Sequence, residues 1–364
     1  MHEQAALIDL YSSLRASGGS AVLATVVGTS GSTYRRSGAR MLVAADGRSA
    51  GLISGGCLES DLRERSADVS RRGVPLLVTY DATAPGDILW GLGLGCPGIA
   101  HVLLERVAAE HPSPALEFLA RLRQGRSGGA IATVYRNPGG EPPGSLLFIE
   151  EGVPSPRPES RLGERLLGAC ADALRERRSA HAQIPVPGGS AEAFIEYVAP
   201  RVALTVFGAG PDAVPLVRLA HELGWHVTLL DPRAAFLTRE LFPSADDLLL
   251  VHPGESALPR SDAFVIMTHN FENDLAALRS VLREGGNAYI GLLGPGTKAD
   301  MLTERLAGEG VQTPGRDSIH SPVGLDIGAE TPEEIALAVI AEIQSVLRGR
   351  PGTPLRDRKG PIHA

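Results

Sequence analysis

Residues 202–231 read VALTVFGAGPDAVPLVRLAHELGWHVTLLD, and this stretch decides the fold of the second half of the chain. An apolar run of strand length ends at a glycine turn, apolar side chains then recur at helical spacing, and a second apolar run follows. The helical stripe consists of Leu216, Leu219, Ala220 and Leu223. A strand, a helix and a second strand in this order are typical of a parallel sheet covered by helices.

The same alternation continues along the C-terminal half of the chain. The further strand patterns are 247–251, 263–267 and 287–291, and the helical patterns are 271–283 and 297–308. The last helix is predicted to begin after an N-cap at Thr331, with a proline next and a glutamate placed to close a capping box. Its expected core stripe is Ile335, Val339, Ile343 and Val346. We predict a Rossmann-like doubly wound parallel sheet over 200–348 and a loose tail over 349–364.

Residues 1–199 show a different pattern, with helices between short β-rich runs. The expected strands are 21–27, 41–45, 51–54, 76–80, 99–105, 129–135, 145–150 and 193–198, and the expected helices are 58–72, 114–124 and 161–176. Turn residues at 136–144 predict a hairpin tip. We therefore expect an N-terminal mixed α/β domain, and the fold class of the whole chain is α/β.

Composition excludes several classes of function. With 364 residues the chain is long enough for two domains, and 43% hydrophobic and 21% charged residues are typical of a soluble globular protein. A net charge of -7 disfavours nucleic acid as a partner, and no apolar run approaches the roughly 18 residues of a membrane span. Three widely spaced cysteines argue against a disulfide framework or a closed zinc site, so we expect a cytoplasmic protein.

The glycine turn has the spacing of a dinucleotide fingerprint. Gly208 and Gly210 fit G-x-G-x-x-A between a predicted strand and helix, and Asp231 ends the next strand, where a ribose diol would be bound. Asp231 favours NAD over NADP, although Arg233 nearby weakens that preference. Pro211 removes one N–H group from the anion site. The alternative is a turn that serves packing alone.

Two further candidates follow neighbouring strands, and ligands in this architecture bind beyond such strand ends. His269 comes after the strand at 263–267, either as a hydrogen-bonded structural residue or as a functional one. Lys298 follows a glycine loop that begins at Gly294, which would suit an anion. The sequence shows no serine triad and no zinc motif around them.

The stretch GLISGGCLE, residues 51–59, places Cys57 directly after two glycines at a predicted helix start. The positive end of a helix dipole favours the thiolate, which is the nucleophilic and metal-binding form of cysteine. A small buried hydrophobic residue is the equally weighted alternative. Of the other cysteines, Cys170 is expected in the core, and we disfavour a redox partnership of Cys96 with Cys57.

Several stretches together resemble one family, the xanthine dehydrogenase accessory proteins of the XdhC/CoxI type. They are GSTYRRSGARMLV (31–43), GLISGGCLESDL (51–62), DILWGLGLGCPG (87–98) and SPVGLDIGAETPEEIALA (321–338). With the Rossmann turn in the expected order, the resemblance covers about residues 20–345. Departures from the family pattern are Tyr34 in place of a proline, Pro-Gly-Thr after Gly294 in place of a basic pair, and Asn270 in place of an aspartate.

The resemblance implies a cytoplasmic, usually dimeric protein that binds molybdenum cofactor, a pyranopterin, and delivers it to an apo molybdenum hydroxylase similar to xanthine dehydrogenase. It implies a cofactor site made of Ser54, Gly55, Gly56, Cys57, Glu59, Arg35 and Gly38. In such a site a Cys57 thiolate would either contact molybdenum or assist a sulfur transfer. The cofactor form, molybdopterin or its dinucleotide, stays open.

We favour a non-catalytic accessory role for the chain. Two alternatives are open: an NAD-dependent oxidoreductase that uses the Gly208 turn and His269 with NAD(P) as cofactor, and a scaffold that docks partner proteins.

Overall fold

The computed structural model describes residues 2–56, 58–82, 98–138, 143–252, 258–284, 288–313 and 318–359. The chain forms two compact units, one over Glu3–Pro200 and one over Arg201–Ala364. In the described ranges, no helix is long and apolar enough to cross a membrane.

The N-terminal unit begins with a five-stranded antiparallel sheet. Its strands are β1 (Ala21–Gly31), β2 (Arg40–Ala44), β3 (Ser49–Gly51), β4 (Leu76–Asp81) and β5 (Gly98–Val107), in the order β3-β2-β1-β5-β4. Helices α1 (His2–Ser17) and α3 (Pro114–Gly125) cover one face, and α2 (Glu59–Arg72) covers the other. Side chains alternate across β1, so Leu23 packs on the first face while Val22 and Ala24 pack on the second.

A four-stranded antiparallel sheet completes this unit. It contains β6 (Gly129–Arg136), β7 (Gly144–Glu150), β8 (Ala180–Val186) and β9 (Gly189–Val198), in the order β7-β6-β9-β8, and α4 (Arg161–Glu176) packs against it. Antiparallel pairing of β6 with β7 confirms the predicted hairpin. Cys170 on α4 is fully buried, as predicted, and burial raises the pKa of its thiol to about 12.

Two strand predictions in this unit were wrong. The strand expected at 51–54 lies at Ser49–Gly51, because Gly51 turns the chain with a φ of +81° and Ser54 bonds forward to the next helix. Strand β8 was missed. Its side chains are mostly exposed and only that of Ile184 is buried, so it lacks the apolar alternation that marks a strand in sequence.

The C-terminal unit is a doubly wound parallel sheet, which confirms the predicted α/β fold class. Its strands are β10 (Ala203–Phe207), β11 (His226–Asp231), β12 (Asp247–Leu250), β13 (Ala263–Ile266) and β14 (Tyr289–Leu292), in the order β12-β11-β10-β13-β14. Its helices are α5 (Ala213–Glu222), α6 (Phe271–Glu284), α7 (Gly296–Gly308) and α8 (Pro332–Leu347). Helices α5 and α8 share one apolar core, and α6 and α7 share the other. Strand order changes direction between β10 and β13, where ligands bind in such sheets.

Helix α8 confirms its predicted start but not its whole core stripe. Thr331 accepts the Glu334 N–H, and the Glu334 side chain accepts the Thr331 N–H, which completes a capping box. Val339 and Ile343 are buried as predicted, whereas Val346 is 41% exposed. The prediction that Val346 is buried was wrong. The buried side chains of the helix outside the predicted stripe are Ala336, Ala338 and Ile340.

Candidate functional site

The loop before α2 is organised by Ser54 and Glu59. The buried Ser54 hydroxyl donates to Glu59 Oε2 at 2.5 Å, and the Ser54 N–H donates to Glu59 Oε1 at 2.8 Å. The same hydroxyl oxygen accepts the N–H groups of Gly56 and Leu58. Burial opposes ionisation of Glu59, but these hydrogen bonds outweigh it and lower its pKa. Hydrogen bonds of Ser54 and Glu59 therefore fix the conformation of the loop.

The two glycines form the exposed side of this loop. Gly56 has a φ of +110°, which favours glycine, and a Cβ there would meet no atom of the described residues within 4 Å. A Cβ on Gly55 would lie 3.5 Å from the ring of Tyr34, whose side chain is largely exposed. As far as the described residues go, the loop is thus open to an approaching ligand at Gly56, and the Tyr34 ring lies beside Gly55. Cys57 lies outside the described residues.

The other two predicted site residues of this unit, Arg35 and Gly38, make contacts within the protein. Arg35 Nη2 donates to Glu3 Oε2 at 2.7 Å, and Glu3 Oε1 accepts the N–H of Leu52, so Arg35 is already paired. Gly38 has a φ of +95°, and a Cβ there would lie 3.1 Å from Glu196 Oε1. The carbonyl of Gly38 accepts from Arg40, which forms a buried ion pair with Glu196 and was missed from sequence because the partners are 156 residues apart.

Two backbone N–H groups of the glycine turn in the C-terminal unit donate to the protein itself. The Gly208 N–H donates to the carbonyl of Leu230 at 2.9 Å, and the Ala209 N–H donates to Asp231 Oδ2 at 2.7 Å. Gly208 must be glycine, since a Cβ would lie 2.5 Å from the carbonyl oxygen of Met267 and its φ is +110°. The turn therefore binds its own protein through groups that a pyrophosphate would need.

Asp231, the predicted ribose ligand, is buried and saturated with donors. Besides the Ala209 N–H, its carboxylate accepts the N–H, Nε and Nη2 of Arg233, each at 2.8 Å. Burial raises the pKa of this carboxyl, and the hydrogen bonds and charge of Arg233 outweigh burial and lower it. A ribose hydroxyl would have to displace Arg233 from this carboxylate. In this structure Asp231 acts as a clamp, by which we mean that its hydrogen bond to Ala209 links the end of β11 to the glycine turn.

Lys298, predicted to attract an anion, is neutralised by a protein carboxylate. Its ammonium forms an ion pair with the fully buried Asp274 and donates to the carbonyl of Leu293 at 3.0 Å. Asp274 Oδ1 also accepts the N–H and the hydroxyl of Thr268. This cluster ties α6 and α7 to the end of β13, and it leaves the charge of Lys298 already compensated.

His269 is paired with a residue that sequence analysis missed. Its Nε2 donates to Asp212 Oδ2 at 2.7 Å, because an ionised carboxylate only accepts. Asp212 occupies the N-cap position of α5, yet its side chain makes no capping bond to that helix. Its place inside the glycine motif, directly after Pro211, was the available signal, since a carboxylate there opposes phosphate binding.

A cavity of about 250 Å³ adjoins this pair at the carboxyl end of β13, between α5 and α8. Its lining residues are Asp212, Leu216, Val265, Met267, His269, Leu293, Glu330, Pro332, Ile335, Ala336 and Val339. Across the described ranges, no group of three histidine, cysteine, aspartate or glutamate side chains is placed to hold a metal ion. The two regions of chemical interest are therefore the Ser54–Glu59 loop and this cavity.

Comparison with known proteins identifies the family of the chain. Residues 204–343 match the XdhC Rossmann domain, and residues 14–81 match the XdhC and CoxI family. Over 330 residues the chain is 37% identical to a protein of Bacillus subtilis strain 168 named as a probable xanthine dehydrogenase subunit, covering 89% of this chain and 92% of that protein. The chain belongs to the XdhC/CoxI family. The resemblance predicted from the sequence motifs is confirmed.

Two further relatives of this XdhC/CoxI protein bear on its fold and function. It is 24% identical over 330 residues to the molybdenum cofactor insertion chaperone PaoD of Escherichia coli K12, covering 91% of this chain and 84% of PaoD. A crystal structure of a Bacillus halodurans xanthine dehydrogenase matches with a TM-score of 0.73 and 30% identity, covering 94% of this chain and 96% of that one. The similarity thus extends through both units.

Proposed function

We propose that this XdhC/CoxI protein binds molybdenum cofactor and delivers it to a molybdenum hydroxylase of the xanthine dehydrogenase type. The observation that carries the proposal is similarity over about nine-tenths of the chain to a relative named for xanthine dehydrogenase and to one named for molybdenum cofactor insertion. The site of action would be the cytoplasm, and the working form a homodimer.

The loop before α2 fits a pterin that carries a metal. Gly56 leaves room for close approach of a ligand to the backbone, and the adjacent start of α2 supplies a positive dipole for oxyanion groups. Cys57 follows in the sequence, and as a thiolate it would offer the soft ligand that suits a thiophilic metal. In the proposal Ser54 and Glu59 shape the loop, while Gly55, Gly56 and Cys57 contact the cofactor, which supplies the molybdenum and dithiolene chemistry.

The glycine turn supports an accessory role better than an NAD-dependent reaction. A dehydrogenase needs free N–H groups for pyrophosphate and a carboxylate for ribose. Here Gly208 and Ala209 already donate to the protein, and Asp231 is held by Arg233. No geometric observation in the described residues favours hydride transfer over binding and release.

A transfer experiment tests this proposal. Purified protein loaded with molybdenum cofactor is mixed with an apo molybdenum hydroxylase, and the hydroxylase activity that appears is followed over time. We expect activation by the wild type and a loss of at least tenfold in the activation rate for Cys57→Ala, with an unchanged melting temperature. Equal activation by loaded wild type and by free cofactor alone would reject delivery and favour the docking scaffold.

A further inference from the structure

Tyr34 is the one exposed aromatic side chain in the part of the chain that the structure describes. It is 62% exposed, whereas the other tyrosine, phenylalanine and tryptophan side chains of the described ranges are buried or half-buried. A single exposed apolar residue is ordinary on a protein surface. Tyr34 is distinguished by its position, because its ring lies beside Gly55 in the loop before α2.

The Tyr34 ring turns one face toward this loop. An atom at the Cβ position of Gly55 would lie 3.5 Å from Cε2 of the ring and 3.7 Å from each of the two neighbouring ring atoms, Cδ2 and Cζ. The near equality of these distances places that position above the ring plane, because an atom in the plane beyond Cε2 would be much farther from both neighbours. A side chain that has one face toward the loop and is still 62% exposed presents its other face to solvent.

Hydrogen bonding does not account for the position of the ring. Tyr11, Tyr80 and Tyr289 each donate their hydroxyl to a carboxylate of the protein. Within the described ranges the Tyr34 hydroxyl has no such partner. Tyr34 also stands where the sequence departs from the proline of the family pattern, so the ring is a feature of this chain. Neither burial nor a hydrogen bond to the described residues gives the ring a structural role.

An open aromatic face beside exposed backbone suits a planar heterocycle. Aromatic side chains bind heterocyclic rings by stacking, and the interaction tolerates different rings because each has a π face. Offset stacking is the geometry that such pairs prefer. Gly56 follows Gly55 on the exposed side of the loop, and a Cβ there would meet no atom of the described residues within 4 Å. A ligand stacked on Tyr34 would therefore lie next to backbone that it can approach closely.

We propose that Tyr34 stacks on the pterin ring of the cofactor and positions the ring at the loop before α2. The step rests on the proposed function, since it is the cofactor of that proposal that carries the pterin. Stacking holds the ring system without using a charge of the protein, and it leaves Gly55, Gly56 and Cys57 to contact the rest of the cofactor. An exposed tyrosine can also anchor a partner protein, which is the competing role that the experiment separates.

Binding of a free pterin to the full-length protein tests the proposal. The probe is 6-hydroxymethylpterin, followed by the quenching and the anisotropy of its own fluorescence. Tyr34→Leu removes the aromatic face and keeps an apolar side chain, so we expect the dissociation constant to rise about tenfold, in line with the worth of one stacked ring. Tyr34→Phe keeps the face and should retain the wild-type affinity. Tyr34→Trp offers a larger face and should bind at least as tightly as the wild type.

A matched control separates stacking from the loss of any exposed apolar side chain. Val74 belongs to the same unit and is also 62% exposed. Val74→Ala should therefore bind the pterin as the wild type does. The melting temperatures of all four variants should equal that of the wild type, because both side chains project into solvent. Equal weakening in Tyr34→Leu and Tyr34→Phe would mean that the hydroxyl, and not the ring face, makes the contact, and would overturn stacking.

The remaining outcomes distinguish this proposal from the proposed function. If Tyr34→Leu binds the pterin as tightly as the wild type but activates an apo hydroxylase more slowly, Tyr34 contacts the partner protein and the stacking role is overturned. Absence of saturable pterin binding by the wild type would also overturn it, while intact cofactor on the isolated protein would still support the proposed function. Pterin binding that depends on Tyr34, in a protein that never carries molybdenum in cells, would support stacking and reject delivery.

Discussion

The glycine loop of the N-terminal unit and the glycine turn of the C-terminal unit differ in what surrounds their glycines. At Gly56 a Cβ would meet nothing within 4 Å among the described residues, whereas at Gly208 it would lie 2.5 Å from a backbone oxygen. At Gly210 it would lie 2.4 Å from Asp212 Oδ1. The loop therefore has glycine where a ligand can approach, and the turn has glycine because its own protein fills the space.

This difference shows that a motif can keep its spacing while its ligand chemistry changes. The turn fits G-x-G-x-x-A, but the N–H groups of Gly208 and Ala209 donate to Leu230 and Asp231. The Asp212 carboxylate lies at the start of α5. The loop has no such fingerprint, yet it presents exposed glycines beside an aromatic ring. Accessibility of backbone groups, more than glycine spacing, decides whether a turn can bind an anion.

The largest expected effect is that of Gly208→Ala. A Cβ there would collide with the Met267 carbonyl, and alanine disfavours the φ of +110°, so we expect a loss of roughly 3 kcal/mol or more in the free energy of unfolding. Urea denaturation followed by circular dichroism measures it. Gly168→Ala, on exposed space in α4, is the control and should be neutral or slightly stabilising. Wild-type stability in Gly208→Ala would show that the turn is open after all.

Asp231→Asn tests the clamp that occupies the turn. Removal of a buried charge that accepts four hydrogen bonds should cost about 2–3 kcal/mol of unfolding free energy near neutral pH. The pKa of Asp231 is lowered in the folded protein, so its contribution is present above the ordinary aspartate pKa of about 3.9 and is lost as pH falls below it.

The pH dependence of stability tests whether Asp231 is charged in the folded protein. The stability difference between wild type and Asp231→Asn should shrink as pH falls from about 5 toward the lowered folded pKa, measured by urea unfolding at several pH values. A difference that stays constant over this range would mean that Asp231 is not held as a charged clamp, which would leave its carboxylate free for a ribose.

Gly56→Ala should have a smaller effect on stability and a larger one on the cofactor. Only the left-handed φ is strained, so we expect a loss of about 1–2 kcal/mol in the free energy of unfolding. A methyl group on the open side of the loop should nevertheless reduce cofactor retention at least tenfold, measured as molybdenum per protein after gel filtration. Gly47→Ala, which has a similar φ of +91° and open surroundings, should match its stability loss without affecting retention.

Sequence patterns predicted those features that depend on local order. The parallel sheet, the element bounds of α4 and the capping box at Thr331 all follow from apolar spacing, turns and side-chain bonds three residues apart. Strand β8 was not predicted because Ile184 is its only buried side chain. Val346 was wrongly predicted to be buried, because the packing of α8 against α5 determines which side chains of α8 are buried.

The candidate sites depended more on distant contacts. Arg233, noted in the sequence beside Asp231, does pair with that carboxylate, but the buried Asp274 that pairs with Lys298 lies far from it in sequence and was not predicted. The contact of Asp212 with His269 joins residues 57 positions apart and depends on the unusual φ of His269. Residues near each other in sequence do not show which distant charged side chains will pair in the folded protein. The pairing of Asp212 with His269, and the cavity beside it, were therefore not predicted.

The central claim, that the protein carries molybdenum cofactor, is tested most directly by isolating it from molybdenum-replete cells. Metal analysis and mass spectrometry of the released small molecules are then made on the wild type and on Cys57→Ala. We predict molybdenum and a pterin in constant ratio to the wild-type protein, and a strong loss of both from the variant. A wild-type protein that carries neither, isolated alongside an active hydroxylase from the same cells, would contradict the claim.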